Sequence, residues 1–348
     1  MGSPTRKRRT SRYLLVTVAI AATALTAVGT AAFTTVGAVP AYATSSGRNG
    51  RIAFRRYFNE AHTRGAIFTV NPDGTAERQV THSFGMNETT EPDWSPNGRW
   101  IVYNVWHQGD DNRSRIFKIR ADGTHRVSLA GSCTTPCLTD GFAQWAPFGK
   151  RIVFQRGLGP SVGENNVMAI CVMKADGTHV RQITQRGADP TVAQPYQDNA
   201  PTWSPNGKRL AFVRQKVSSG HRAIFSVRLD GTGLRQITPW RLDAGQPDWS
   251  PNGRWIAFYG PTSSDTSRHV ALVHPNGTGL HTITSGPGTW GSLSFSPDGR
   301  KITASHSPGF GIAQNADVYT MNIDGTDLTN VTNSNGFESA PDWGPASG

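Results

Sequence analysis

Three loop histidines, His82, His107 and His306, and a scatter of carboxylates have the side-chain types needed for metal or acid–base chemistry. Imidazoles gathered at one point would supply nitrogen ligands to a divalent ion, and carboxylates would supply oxygen ligands or a general base. Their spacing selects no scheme. The ten histidines are dispersed, and no His-Glu-x-x-His pair occurs. No Gly-x-Ser-x-Gly elbow is read. Each Asp-Gly-Thr segment offers one carboxylate on a two-residue turn, too few for a calcium loop. The sequence therefore assigns no catalytic residue, metal site or cofactor. Cys133 and Cys137, in G-S-C-T-T-P-C-L, are expected to form a small local disulfide in an exported protein. Cys171 stands where a later repeat has Phe225 and is expected to be a buried core thiol.

The elements that would position these groups are set by a repeat. Gln246 to Phe258 reads Q-P-D-W-S-P-N-G-R-W-I-A-F, a strand, a tight turn and a second strand. Pro fixes φ at the first corner of the turn, and Asn-Gly accept the left-handed conformations after it. Copies run over Pro92–Tyr103, Ala143–Phe154, Pro201–Phe212 and Leu293–Ala304, and a truncated copy ends the chain at Pro341-Asp342-Trp343-Gly344-Pro345. The anchors Trp94, Trp145, Trp203, Trp249, Phe295 and Trp343 are 51, 58, 46, 46 and 48 residues apart. A second hairpin accompanies each copy, turning at Asp73-Gly74, Asp122-Gly123, Asp176-Gly177, Asp230-Gly231, Asn276-Gly277 and Asp324-Gly325. A period near 50 residues with four strands per unit predicts an all-β fold, a six-bladed β-propeller. Residues 49–54 are the second half of a unit and residues 341–343 are the first half. The C-terminal strand is therefore expected to pair with the N-terminal blade and close the ring, removing an open sheet edge.

Residues 1–43 read as an export signal. Arg6, Lys7, Arg8, Arg9 and Arg12 precede an uncharged run, and Ala41-Tyr42-Ala43 matches a small-x-small cleavage pattern. An uncleaved anchor is the rival reading, and only then would a membrane be a partner. Residues 44–348 are expected to form the propeller. Without residues 1–43 the formal charge falls from +11 to +6, which gives no argument for nucleic-acid binding. Within a blade the first and third connections share one face, here the uniform Pro-Asn-Gly and Asp-Gly-Thr turns. The other face carries long, dissimilar loops and is the expected binding face. On it, His82, Glu91, Trp106, His107, Asp198, Gln246, Trp290 and Glu338 are the candidate binding residues. Glu91, Phe142, Ala200, Gln246, Ser292 and Ala340 are expected to rim the central opening.

The unit P-x-W-S-P-[DN]-G-[KR]-x-[IL]-[AV]-[FY], followed by I-[FY]-x-[MV]-x-x-D-G-T-x-x-x-x-[IL]-T, resembles the TolB-type, or WD-like, propeller repeat over residues 49–345. TolB itself is a periplasmic component of the Tol–Pal envelope system, binds a lipoprotein partner through its propeller and carries an additional N-terminal α/β domain. Only residues 44–48 precede the first strand here, so that domain is not expected. The resemblance implies a module that binds a protein or cell-surface partner, and with the export signal a secreted or periplasmic monomer is expected. Related propellers include a manganese-dependent oligogalacturonate lyase, which leaves a metal-dependent saccharide lyase or lactonase as the alternative.

Overall fold

The computed structural model describes residues 46–82, 87–107, 114–129, 137–158, 167–184, 196–261, 267–309 and 315–347. Residues 1–45 fall outside these, and with them the expected export signal.

The described chain is built from short antiparallel strands. β1 (Asn49–Tyr57), β2 (Gly65–Val70) and β3 (Arg78–Gln79) pair in order. β4 (Asn87–Trp94), β5 (Trp100–His107), β6 (Ser114–Arg120) and β7 (Val127–Ser128) form a second sheet. A third comprises β8 (Cys137–Trp145), β9 (Arg151–Leu158), β10 (Val167–Lys174) and β11 (Arg181–Gln182). A fourth comprises β12 (Tyr196–Trp203), β13 (Arg209–Lys216), β14 (Arg222–Arg228) and β15 (Arg235–Gln236). Next come β16 (Gly245–Trp249), β17 (Ile256–Pro261), β18 (Arg268–Val273), β19 (His281–Thr282), β20 (Thr289–Phe295), β21 (Lys301–Ser307), β22 (Asp317–Asn322) and β23 (Thr329–Asn330). The final strand, β24 (Phe337–Pro345), pairs antiparallel with β1, setting Trp343 opposite Ile52 and Asp342 opposite Ala53.

This is an all-β propeller architecture, but the sheets do not divide into six equal units. Four sheets have four strands, and β16–β23 form one eight-stranded sheet. The join is a parallel bridge between Arg268 on β18 and Thr289 on β20. It arises where the short link after β19 brings the start of β20 alongside β18.

The turns follow from their residues. In each outer turn the Asp accepts two hydrogen bonds from the following Thr. Asp230 Oδ1 takes the Thr232 amide at 2.9 Å and its hydroxyl at 2.7 Å. Asn276 does the same for Thr278, at 3.0 and 2.7 Å. These donors hold Asp73, Asp122, Asp176, Asp230 and Asp324 below the usual carboxylate range. In the inner turns a Ser takes the place of a cap. Ser250 Oγ accepts the Trp255 amide at 2.9 Å and donates to Asn252 at 2.9 Å. The arginines after the outer turns do more than face solvent. Arg181 donates to the Leu229 carbonyl at 2.6 Å, Arg235 to that of Asn276 at 2.5 Å, and Arg78 to that of Ala121, each reaching the next repeat.

The core lies between sheets. Val153, Ile170 and Val172 of the third sheet pack on Trp203, Leu210, Phe212 and Phe225 of the fourth. Within the eight-stranded sheet, Ala257, Val270 and Leu272 pack on Trp290, Phe295 and Ile302, so its two halves face one another as separate sheets do. Ile52, Phe54 and Phe68 pack with Val318 and Trp343. Cys171 is buried, as expected, and burial pushes its thiol up to about 12.

Gly344 stands where four other repeats have Ser. A Cβ there would lie 2.3 Å from the Trp94 ring. Gly344→Ala is expected to cost about 1–3 kcal/mol through overpacking. Urea denaturation checks this, and an unchanged midpoint would place Trp94 elsewhere.

Candidate functional site

The innermost strands β4, β8, β12, β16, β20 and β24 surround one cavity. Its lining includes Glu91, Phe142, Ala200, Gln246, Ser292 and Ala340, the six residues expected at the opening. The pairing of each innermost strand with its neighbour breaks register at this point. A bulge of this kind turns one residue out of the ladder. Glu91, Phe142, Ala200, Gln246 and Ala340 adopt φ of 49°, 49°, 46°, 38° and 52°. Left-handed backbone is costly for a residue with a Cβ and persists only where its surroundings impose it. The sequence supplies a cause in four repeats. Pro92, Pro201, Pro247 and Pro341 follow directly, and a proline has no N–H to continue the ladder.

One position deeper lie Asp93, Asp248 and Asp342. Each carboxylate accepts the backbone N–H of the aromatic anchor in the following repeat. Asp93 takes Trp145, Asp248 takes Phe295 and Asp342 takes Trp94, all at 2.7 Å. Hydroxyls add to this, from Thr202 to Asp248 at 3.2 Å and from Ser294 to Asp342 at 2.8 Å. Burial raises all three pKa values: Asp248 to about 7, Asp342 to about 6, and Asp93 well above its usual range, with Asp342 nearby pushing Asp93 further. Asp93 and Asp342 keep partial contact with the cavity, whereas Asp248 is buried. Sequence reasoning misses these three residues as functional candidates. The signal it could have used is a carboxylate inside an apolar strand, in the Pro-Asp-Trp triplets at 92–94, 247–249 and 341–343.

The candidates named from sequence separate. Glu91 and Gln246 line the cavity, and Gln246 Oε1 accepts the Ser292 hydroxyl at 2.7 Å. His82 is exposed just after β3, and Trp106 is half-buried near the end of β5. The His107 side chain lies outside the described residues, as do Cys133 and the Cys137 side chain, and so does the expected disulfide. Asp198 and Glu338 do not offer free carboxylates at the mouth. Asp198 is buried and holds Arg214 through bonds of 2.7 and 2.8 Å. Glu338 is fully buried, 2.7 Å from Arg56, and Ser334 donates to it at 2.6 Å. A buried carboxylate must have such a partner, which is why both turn inward. Asp140 and Arg156 repeat the pairing on β8 and β9, at 2.8 Å twice. At the matching position of β20 and β21, the rings of Trp290 and His306 meet instead, tilted by 37° with centroids 4.3 Å apart. Trp290 is thus a core residue, 3% exposed, and burial lowers the His306 pKa. His82 follows β3 and His306 lies on β21, and among the described residues no group of three or more His, Cys, Asp or Glu could hold a metal ion.

The reading that no Gly-x-Ser-x-Gly string is present needs correction, since one string fits the pattern. Gly159-Pro160-Ser161-Val162-Gly163 is Gly-x-Ser-x-Gly, but it lies outside the described residues, and a strand, β10, comes after it where an elbow requires a helix.

No family model matches the chain. An uncharacterized protein of Agrobacterium fabrum is 30% identical over 151 residues, 42% of this chain and 46% of its own length. The Tol-Pal system protein TolB of Zymomonas mobilis is 43% identical over 72 residues, 21% of this chain and 14% of its own length. Among solved structures, TolB from Acinetobacter baumannii superposes with a TM-score of 0.63 at 20% identity, covering 85% of this chain and 67% of that one. The chain is a TolB-like β-propeller. A TolB candidate from Agrobacterium tumefaciens gives 0.60 at 17% identity, covering 85% of this chain and all of that one. The chain spans less than half the length of the curated relatives it matches. Oligogalacturonate lyase in complex with manganese superposes at 0.53 with 13% identity, covering 80% of this chain and 78% of that one, a likeness of fold alone. The cavity of this TolB-like propeller holds hydrogen-bonding groups, a phenyl ring and carboxylates, which equip it to hold polar or cationic parts of a larger ligand.

Proposed function

We propose that this TolB-like propeller is an exported scaffold whose loop face and cavity mouth bind a protein of the cell envelope. The observation that carries the reading is the contrast between faces. The inner and outer turns repeat the same hydrogen bonds, while the mouth presents Glu91, Phe142, Ala200, Gln246, Ser292 and Ala340, different from repeat to repeat. A surface that varies on a uniform scaffold is where repeat proteins place recognition. The relatives named as Tol-Pal system proteins supply the partner class. In this reading residues 1–43 direct export and are removed after Ala43. Residues 44–348 form a six-bladed monomer. The eight-stranded sheet counts as two blades, supported by the core between its halves, and the β24–β1 pairing joins the last blade to the first.

The test is capture of envelope proteins by immobilised residues 44–348. Gln246→Lys with Ser292→Lys is expected to weaken capture at least tenfold. Lys208→Glu, on the turn face, is expected to leave it unchanged. Equal capture by all three proteins would overturn the reading. The alternative, a metal-dependent lyase or lactonase, draws on the fold it shares with oligogalacturonate lyase. Turnover of an oligosaccharide or lactone by the manganese-loaded protein would favour it instead.

A further inference from the structure

The inner turns gather positive charge on one surface. Arg99, Lys150, Lys208, Arg254 and Arg300 each follow the glycine of an inner turn, and all five are exposed. Arg48 is exposed too and lies beside the end of β24, where its carbonyl accepts the Ala346 amide at 2.8 Å. A turn Asn or Asp fixes the backbone of four of them. Asn97 accepts the Arg99 amide at 3.1 Å, Asn206 that of Lys208 at 3.0 Å, Asn252 that of Arg254 at 2.9 Å and Asp298 that of Arg300 at 3.0 Å. Asp298 is the sole acid in these turn segments, and the Ser296 hydroxyl donates to the same oxygen at 2.7 Å. Neighbouring turns touch. A Cβ on Gly149 would lie 3.8 Å from Pro96, one on Gly207 3.3 Å from the Phe148 ring, one on Gly253 3.1 Å from Pro205 and one on Gly299 3.5 Å from Pro251. The Gly47 amide donates to the Pro297 carbonyl at 3.3 Å. The six cations therefore share one surface. Exposed apolar side chains flank them. Phe148 is 59% exposed, and Leu234, Leu280 and Leu328, in three consecutive outer turns, are 48%, 38% and 52% exposed. Each of those outer turns is tied to an inner one. Arg209 donates to the Gly233 carbonyl at 2.7 Å, His274 Nδ1 donates to the Arg254 carbonyl at 2.8 Å, and Lys301 pairs with Asp327. The cavity lining has the opposite character, with acids and no Lys, Arg or His.

We propose that the turn face is a docking surface for an anionic phospholipid bilayer. The six cations meet the headgroup phosphates, while Phe148 and the three leucines enter the boundary between headgroups and acyl chains. Charge alone suits any polyanion. The exposed apolar groups beside the cations select a bilayer, because its surface offers anionic headgroups and an apolar layer just beneath them. Such a contact is peripheral. It brings a membrane among the partners without an uncleaved anchor, and it leaves the loop face turned away from the lipid and open to a protein.

The described cores lie within residues 46–347, so residues 44–348 serve as the test protein, free of the cations of residues 1–43. The protein is sedimented with vesicles of phosphatidylglycerol and phosphatidylcholine, and with vesicles of phosphatidylcholine alone. Binding is expected on the anionic vesicles at about 0.1 M salt and is expected to weaken at about 0.5 M, where screening is stronger. Lys150→Glu with Arg254→Glu is expected to lower it roughly tenfold or more. Arg64→Glu with Arg241→Glu changes the charge equally at two exposed cations of the loop face and is expected to leave binding within about twofold. Phe148→Ser with Leu328→Ser is expected to weaken vesicle binding roughly fivefold and to leave binding to dextran sulfate unchanged. No preference for anionic vesicles, or equal losses from the two Glu pairs, overturns the proposal. Vesicle binding untouched by the Ser pair also overturns it and assigns the cations to a soluble polyanion or an acidic protein. If the turn-face Glu pair does not fold, Lys150→Gln with Arg254→Gln is read in the same way. Protein capture plays no part in these readouts, so the docking surface stands or falls separately from the binding function.

Discussion

A chain ending at Ala340 is expected to lose the cooperative melting transition of the full propeller. The deletion removes the part of β24 that sets Trp343 opposite Ile52 and Pro345 opposite Asn49. Trp343 is 2% exposed, packs with Ile52, Phe54, Phe68 and Val318, and donates its indole N–H to the Gly50 carbonyl at 3.2 Å. Removing one tryptophan from a core costs about 3–5 kcal/mol, against about 5–15 kcal/mol for the stability of a whole domain. The deletion adds to this the loss of Asp342, which holds the Trp94 amide, and of the Ala346 amide bond to the Arg48 carbonyl at 2.8 Å. It also uncovers the first part of β1, residues 49–53, as an edge open to pairing between chains. Thermal melts of residues 44–340 and 44–348, followed by circular dichroism, decide the matter. A midpoint within about 2 °C of the full protein would mean that the β24 pairing contributes little, since so small a shift corresponds to about 1 kcal/mol or less.

The parts of the fold that could be read from sequence are those whose causes are local. Asp-Gly and Pro-Asn-Gly dictate backbone angles by themselves, and the recurring tryptophans mark one strand per unit. The six lining positions could be placed because each sits at a fixed distance before an anchor. The pairing of Trp343 with the N-terminal strand was also legible, because the first and last segments are complementary halves of one unit. The bridge between Arg268 and Thr289 was not, since a contact between third and innermost strands depends on the path of a link that has no repeat.

The site was less legible, and for a different reason. Asp198 and Glu338 look like exposed loop acids because their partners are distant in the chain. Arg214 comes sixteen residues after Asp198, and Arg56 belongs to the opposite end of the protein. Charge alone does not say whether a carboxylate meets water or an arginine; the register of the strands does. Asp93, Asp248 and Asp342 escape notice because a triplet dominated by tryptophan reads as core. Their backbone partners, supplied by the next repeat, carry no side-chain signature at all. Polar groups thus serve the architecture twice, as ion pairs within a sheet and as amide links between repeats. The polar groups at the cavity mouth are a narrower set, chiefly Glu91, Gln246 and Ser292.

Breaking one of the buried ion pairs should show how firmly that division is drawn. Asp140→Ala leaves Arg156 with a side chain only 8% exposed and without the carboxylate that held it. Arg156 also lies over the Phe154 ring at 5.0 Å, so it cannot reach water without disturbing the core. An uncompensated buried charge costs about 3–5 kcal/mol. Replacing both partners, Asp140→Leu with Arg156→Met, removes the charges together and is expected to cost no more than about 1 kcal/mol, because the gain in a buried pair scarcely exceeds its desolvation. The surface pair of Lys301 and Asp327 provides the comparison, with side chains 30% and 61% exposed. Asp327→Ala should change stability by less than about 1 kcal/mol. Guanidinium denaturation of the four proteins checks all three values. If Asp140→Ala costs as little as Asp327→Ala, Arg156 has an escape to solvent, and the inner acids would be available for binding after all.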